Sequence, residues 1–167
     1  TPSPDRVEPK CQFARQCGGC QLQALSYEKQ LEFKTSKVRE HLERIGGFID
    51  IPMEKILGMD QPFHYRNKAQ FPVGKSKDGR IITGFYAGRT HSIIENRDCA
   101  LGVTRNKEVL DRVIAHMEKF HIQPYDENTG KGVVRHVLIR YGFFTDEMMV
   151  CPQLHFVRQL PCLSPQA

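Results

Sequence analysis

The sequence predicts an α+β fold: a mainly antiparallel sheet carrying two amphipathic helices, with a small cysteine loop attached. Three observations lead there. Two stretches, 26–45 and 104–121, repeat apolar residues at helical spacing, while several shorter ones alternate apolar and polar residues with the period of a strand. Two of the strand-like runs flank Asp78-Gly79, a hairpin signal. Three cysteines, Cys11, Cys17 and Cys20, fall within ten residues, with Gly18 and Gly19 between the last two so that the backbone can curl tightly.

Residues 1–10 contain two prolines and no periodicity, so residues 1–25 read as a linker followed by the cysteine loop. Ser26 is placed to cap a helix whose stripe is Tyr27, Leu31, Val38, Leu42 and Ile45, ended by Gly46-Gly47. This helix is expected to pin the loop to the core. The connector 48–61 holds one short candidate strand at 54–57. A strand follows over 65–74, with Ala69, Phe71 and Val73 on one side; Pro72 argues that it lies at an edge or near its own end. The return strand is 81–87, and a third over 89–95 delivers the chain to Cys99. Thr104 is a candidate cap for the second helix, with Val109, Leu110, Val113, Ile114 and Met117 as its stripe. Residues 125–131 read as a polar loop, 133–141 as the strongest strand, and 147–150 as its partner. Met148 and Met149 read as core filler, and Cys151 as a buried strand cysteine. The central domain is thus expected over 26–151, closed onto the loop by Cys99, with 152–167 as an irregular tail containing Pro152, Pro161, Cys162 and Pro165.

A length of 167 residues supports one core of ordinary size, and no apolar run approaches the roughly 18 residues that would cross a bilayer. A monomer in the cytoplasm, with no membrane partner, is the expectation. The net charge of +5 is concentrated: residues 64–97 hold seven basic side chains against two acidic ones. Such a face attracts polyanions, which puts nucleic acid first among partners, against the alternative of a hairpin decorated with lysines for solubility. Arg66 and Lys68, beside Tyr65 and Asn67, are candidate phosphate or base contacts. Arg135 and Arg140 are an odd number of positions apart and fall on opposite faces of their strand.

The cysteines Cys11, Cys17, Cys20 and Cys99 admit three readings. A structural zinc site takes four thiolates, though usually from two short C-x2-C knuckles. A redox pair at Cys17 and Cys20 would need a strand before it. Three clustered ligands with one distant ligand suit a cubane iron–sulfur cluster. A structural role is preferred over electron transfer, because Cys99 closes a loop of nearly eighty residues onto the cysteine turn.

The run Cys11-x5-Cys17-Gly18-Gly19-Cys20-Gln21-Leu22-Gln23, with Tyr27-Glu28-x-Gln30-Leu31-x-x-Lys34, resembles the cluster signature of RNA uracil-5-methyltransferases, including those acting on large-subunit ribosomal RNA. The likeness continues through Tyr65-Arg66-Asn67-Lys68, Gly84-Phe85-Tyr86, His91-x-Ile93, Cys99-x-Leu101 and Val134-Arg135-His136, covering about residues 9–150. It implies a 4Fe-4S cluster on Cys11, Cys17, Cys20 and Cys99, and a central domain presenting ribosomal RNA, for which Arg66, Lys68, Arg89, His91 and Arg135 are candidate contacts. In that family an OB-like domain precedes the cysteines. A Rossmann-like domain follows, binding S-adenosylmethionine and carrying the cysteine nucleophile that attacks a flipped-out uracil. Neither domain is expected here, so the chain reads as a relative truncated at both ends: no catalytic residue is assigned, and S-adenosylmethionine enters only through the missing domain. The glycines at 130 and 132 precede a strand, the reverse of a nucleotide-binding turn. The alternative is a stand-alone zinc- or cluster-binding nucleic-acid module without enzymatic activity.

Overall fold

The computed structural model describes residues 3–155. The elements follow in the order α1 (Tyr27–Arg44), β1 (Lys68–Lys75), β2 (Ile81–Tyr86), β3 (Ile93–Glu95), α2 (Arg105–Lys119), β4 (Val134–Tyr141) and β5 (Met148–Leu154). The five strands form one antiparallel sheet in the order β3-β2-β1-β4-β5. This is the α+β architecture that the two periodicities predict. No helix among the described residues is long and apolar enough to cross a membrane.

The core lies between α2 and one face of the sheet. Leu110, Ile114 and Met117 from the helix meet Ala69, Phe71 and Val73 of β1 and Val134, Val137 and Ile139 of β4. Phe71 and Leu110 are wholly buried, and Phe71 packs on Phe85 with ring centroids 5.0 Å apart. Alternation in β1 and over residues 137–141 of β4 explains the pattern, and a register irregularity between Val134 and His136 lets Val134 join Val137 and Ile139 in the same core.

Several expectations are corrected. β1 is the central strand despite Pro72. Its residues 68–72 pair with β4 and its residues 73–75 with β2, so the proline stands where the ladder changes partner. The Pro72 carbonyl remains useful there, accepting a 2.9 Å hydrogen bond from the Thr83 hydroxyl. Residues 54–57 form no strand, and 89–92 form a turn ahead of a three-residue β3. Neither Ser26 nor Thr104 makes a side-chain cap; Thr104 has helical dihedrals and points its hydroxyl elsewhere. Gly47 does end the first helical region in the left-handed conformation, with φ of 69°, closing Gly46 N to His41 O and Phe48 N to Leu42 O.

The larger correction concerns α1, which buries none of its residues. Val38 is 51% and Ile45 80% exposed, so the stripe does not enter the core. The helix instead meets the connector and the end of the cysteine-loop stretch: the Tyr27 hydroxyl accepts from Met59 N at 2.7 Å, and Gln30 donates to Leu25 O at 2.9 Å. At the other end, β5 extends to Leu154, beyond the expected tail boundary, because Pro152 is opposite Val137 on an edge strand and needs no second partner. On that edge Cys151 is exposed and Met149 is 49% exposed, while only Met148 reaches the core. Residues 156–167, with Cys162, Pro161 and Pro165, lie outside the described residues.

Candidate metal centre and nucleic-acid interface

The sheet brings the two halves of the cysteine set to its β2–β3 end. Between Cys11 and Cys17 the chain makes a compact turn, with Ala14 N donating to Cys11 O and Cys17 N to Phe13 O. Cys17 then pairs with Ala87 as an antiparallel bridge, and Gly18 N donates to Tyr86 O at 3.0 Å. The loop is therefore bridged to the chain just past the end of β2. β3 returns beside β2 in the register Gly84↔Glu95, which places Cys99 four residues beyond that pairing. Gly84 is required for this approach: a Cβ there would overlap the Ile94 carbonyl oxygen and stand 2.5 Å from Asn96 N.

The turn after Cys99 is anchored independently. Gly102 N donates to Cys99 O at 2.9 Å, while His64 N and Arg66 N donate to Ala100 O and Leu101 O at 3.0 and 2.8 Å. Arg97 contacts Asp111 at 2.6 Å and Glu95 at 3.0 Å, tying the end of β3 to α2. All four candidate cysteines are partly buried. Cys11 lines a cavity of about 610 Å³ with His64, Asn96, Asp98 and Ala100, and Cys20 lines another of about 690 Å³ with Arg66 and Leu101. Both cavities therefore border the Cys99 turn.

Local donors are aimed at sulfur. Gln23 donates from Nε2 to Cys20 Sγ at 3.3 Å and accepts from Cys11 N at 3.2 Å, so one carboxamide couples the two cysteines. Gly19 N donates to Cys17 Sγ at 3.4 Å. Burial pushes the Cys20 thiol up, with Cys99 and Cys17 adding to the rise, while the Gln23 hydrogen bond and the Arg66 charge oppose it. Cys99 and Cys17 thus both lie within electrostatic reach of Cys20, as does the Arg66 cation. Asn106, 3% exposed, approaches the same turn near Gly102, and neither polar atom of its side chain has a partner among the described residues.

Thiolate donors, sulfur-directed N–H groups and an unused buried amide fit an iron–sulfur group in kind. As placed, no three His, Cys, Asp or Glu side chains among the described residues stand close enough to hold a metal ion. A cubane spreads its thiolates over separate corner irons, a wider demand than the ligands of a single ion face.

The candidate RNA contacts do not form one patch. Arg66 lies at the Cys99 turn. Arg89, with φ of 61°, is on the exposed turn that Gly88 N ties to Gln16 O. Lys68 is on the open sheet face, directly opposite Arg140, with Gln70 and Gln153 hydrogen-bonded beside it at 3.0 Å. His91 and Arg135 meet elsewhere, on Glu127: Nδ1 of His91 is 2.7 Å from one carboxylate oxygen and Arg135 2.8 Å from the other. These bonds hold the Glu127 carboxyl below its ordinary value, His91 contributing most. His91 also stacks on Tyr86 at 5.0 Å, and Tyr86 meets His136 edge-on. Burial, reinforced by Arg135, lowers the basicity of His136. Of the residues missing from the expected site, Arg140 and Gln70 follow from strand alternation, Gln153 falls in the stretch that reads as an irregular tail, and nothing in the polar run 125–131 singles out Glu127.

No protein-family model matches the chain. An uncharacterized RNA methyltransferase of Clostridium tetani is 45% identical over 150 residues, which are 90% of this chain and 32% of the relative. One from Bacillus cereus is 44% identical over 150 residues, with the same two shares. Among solved structures, the Pyrococcus abyssi tRNA (uracil-54, C5)-methyltransferase, crystallised with S-adenosyl-L-homocysteine, superposes with a TM-score of 0.67 at 29% identity. It matches 92% of this chain and 33% of its own. The chain spans about one third of the length of the relatives it matches. It is homologous to that third of RNA methyltransferases, among them an enzyme of tRNA uracil-54.

Proposed function

We propose that this chain is the iron–sulfur and central RNA-recognition part of an S-adenosylmethionine-dependent RNA uracil-5-methyltransferase acting on ribosomal RNA. The observation that supports it most is the convergence of the Cys11–Cys20 loop and the Cys99 turn at one end of a sheet whose open face carries Lys68 and Arg140. Cys11, Cys17, Cys20 and Cys99 are the residues that would hold a 4Fe-4S cluster. Once bound, that group would supply a covalent cross-link between chain segments far apart in sequence. The protein's own part is to set the Cys99 turn with Arg66 and Gly102, and to direct Gln23 and Gly19 donors at sulfur.

RNA recognition rests on cations that no internal carboxylate engages. Lys68 and Arg140 form no ion pair among the described residues, and they stand on a face free of helix. Contacts of this kind position a phosphate backbone without reading sequence. Methyl transfer requires a cofactor domain, and the strands of the described sheet pair only antiparallel, without the parallel strand–helix–strand unit such a domain needs.

Filter binding of a large-subunit ribosomal RNA transcript and of a tRNA transcript tests the reading, with methyl transfer from labelled S-adenosylmethionine measured in parallel. Tighter retention of the ribosomal transcript, weakened by Lys68→Ala with Arg140→Ala and without turnover, is expected. Retention of tRNA alone would favour the specificity carried in the name of the Pyrococcus abyssi protein. Turnover by this chain would contradict the view that catalysis lies elsewhere.

A further inference from the structure

A groove of about 970 Å³ runs between the β1–β2 hairpin and the loop at 123–132. Lys75, Lys77 and Lys131 line it, together with the aromatic side chains of Tyr86, His91 and Tyr125. None of the three lysines forms an ion pair among the described residues. The carboxylates in the same groove are engaged. Asp126 accepts from Asn128 N and the Thr129 hydroxyl, each at 2.9 Å, and Glu95 accepts from Arg97 at 3.0 Å. As Glu95 does more loosely between Arg80 and Arg97, Glu127 bridges two nitrogen-bearing side chains from different elements, His91 ahead of β3 and Arg135 on β4. Its two oxygens occupy the arrangement that two non-bridging phosphate oxygens would take between the same donors.

We propose that this groove is a track for single-stranded RNA, and that Glu127 holds His91 and Arg135 in the place of a phosphodiester until RNA displaces it. The proposal rests on the RNA-binding reading above and adds a second region to it, toward the β2–β3 side of the same sheet face that carries Lys68 and Arg140. A single strand is the form that suits the site, because unpaired bases can stack on the aromatic faces while their phosphates follow the lysines. Arg135 lies over the Tyr125 ring at 5.4 Å and His91 lies flat against Tyr86, so both anion-binding groups are already backed by aromatic rings.

Binding of a short uridine-rich oligoribonucleotide to the full chain, titrated over a range of salt, tests this. Glu127→Gln is expected to bind about fivefold more tightly, the order set by an exposed ion pair to Arg135 and a hydrogen bond to His91 that no longer compete. Its salt slope should steepen by about 0.7 for each phosphate newly contacted. Glu127→Ala should act in the same direction, and Lys75→Ala with Lys77→Ala in the opposite one. A duplex of the same sequence should bind the groove less well. Unchanged or weaker binding by both Glu127 variants overturns the proposal, as does a preference for duplex that Lys75→Ala with Lys77→Ala abolishes. If those variants are silent while Lys68→Ala with Arg140→Ala weakens binding, the groove is refuted and the RNA reading stands. If the unaltered chain retains no RNA even at low salt, both fall.

Discussion

Replacing Gly84 by alanine tests how the fold reaches the candidate metal centre. The added methyl would overlap the Ile94 carbonyl oxygen and stand 2.5 Å from Asn96 N, backbone atoms that cannot rotate aside. Either β3 leaves β2 or the sheet absorbs the strain. Losing two or three ladder hydrogen bonds at roughly 1 kcal/mol each costs about 2–3 kcal/mol, and overpacking costs about 1–3 kcal/mol, so the loss lies within about 1–3 kcal/mol by either route. The second consequence is specific to the site: β3 leads directly to Cys99, so its displacement carries the fourth thiol away from the Cys17 turn. Urea unfolding monitored by circular dichroism reads the first effect, and iron retained after anaerobic reconstitution reads the second. Gly88→Ala is the control, since a Cβ there meets nothing within 4 Å; it should stay within about 0.5 kcal/mol of the parent. Equal stability and equal iron retention in the two variants would refute the argument.

Leu110→Ala should destabilise the chain by about 2–5 kcal/mol in the same unfolding assay, because it opens a cavity where α2 meets β1 and β4. Met149→Ala, at an exposed edge position, should change it by less than about 0.5 kcal/mol. Acidification should expose the role of His136, whose folded-state basicity is lowered by burial from an ordinary value of 6.5. The unfolded chain then takes up the proton first. Stability is therefore greatest above pH 6.5 and declines as pH falls from there toward the lower folded value; thermal melts of His136→Gln should lack that decline. Asp78, held at about 2 chiefly by Ser76 and then Arg80, works over a lower range: its favourable effect is present above the ordinary carboxylate value and disappears as pH falls toward 2.

Much of the fold was legible because two periods dominate it. The β4 run at 134–141 reads correctly as a strand, but counting fails at its start: an irregularity between Val134 and His136 breaks the alternation, so the opposite placement expected for Arg135 and Arg140 does not follow. The centrality of β1 was hidden because Pro72 argues for an edge, and only the change of partner at that residue reconciles the two. The helical stripe of α1 predicts helix correctly and burial wrongly, since periodicity reports which residues share a face and not whether anything covers it. The site divided in the same way. Cysteine spacing singled out Cys11, Cys17, Cys20 and Cys99, and the structure brings their turns to one end of the sheet. The basic residues of 64–97 looked like one face in a linear count, yet hairpin geometry distributes Arg66, Lys68, Arg89 and His91 over separate surfaces. Glu127 was invisible for a related reason: its partners, His91 and Arg135, are 36 and 8 residues away.

The most direct test of the account is a metal and sulfide count on the chain purified anaerobically, with Cys99→Ser beside it. The account predicts iron and acid-labile sulfide in the ratio of a 4Fe-4S cluster, with visible charge-transfer absorbance that Cys99→Ser diminishes. Stoichiometric zinc without iron, unaffected by aerobic or anaerobic handling, would contradict it.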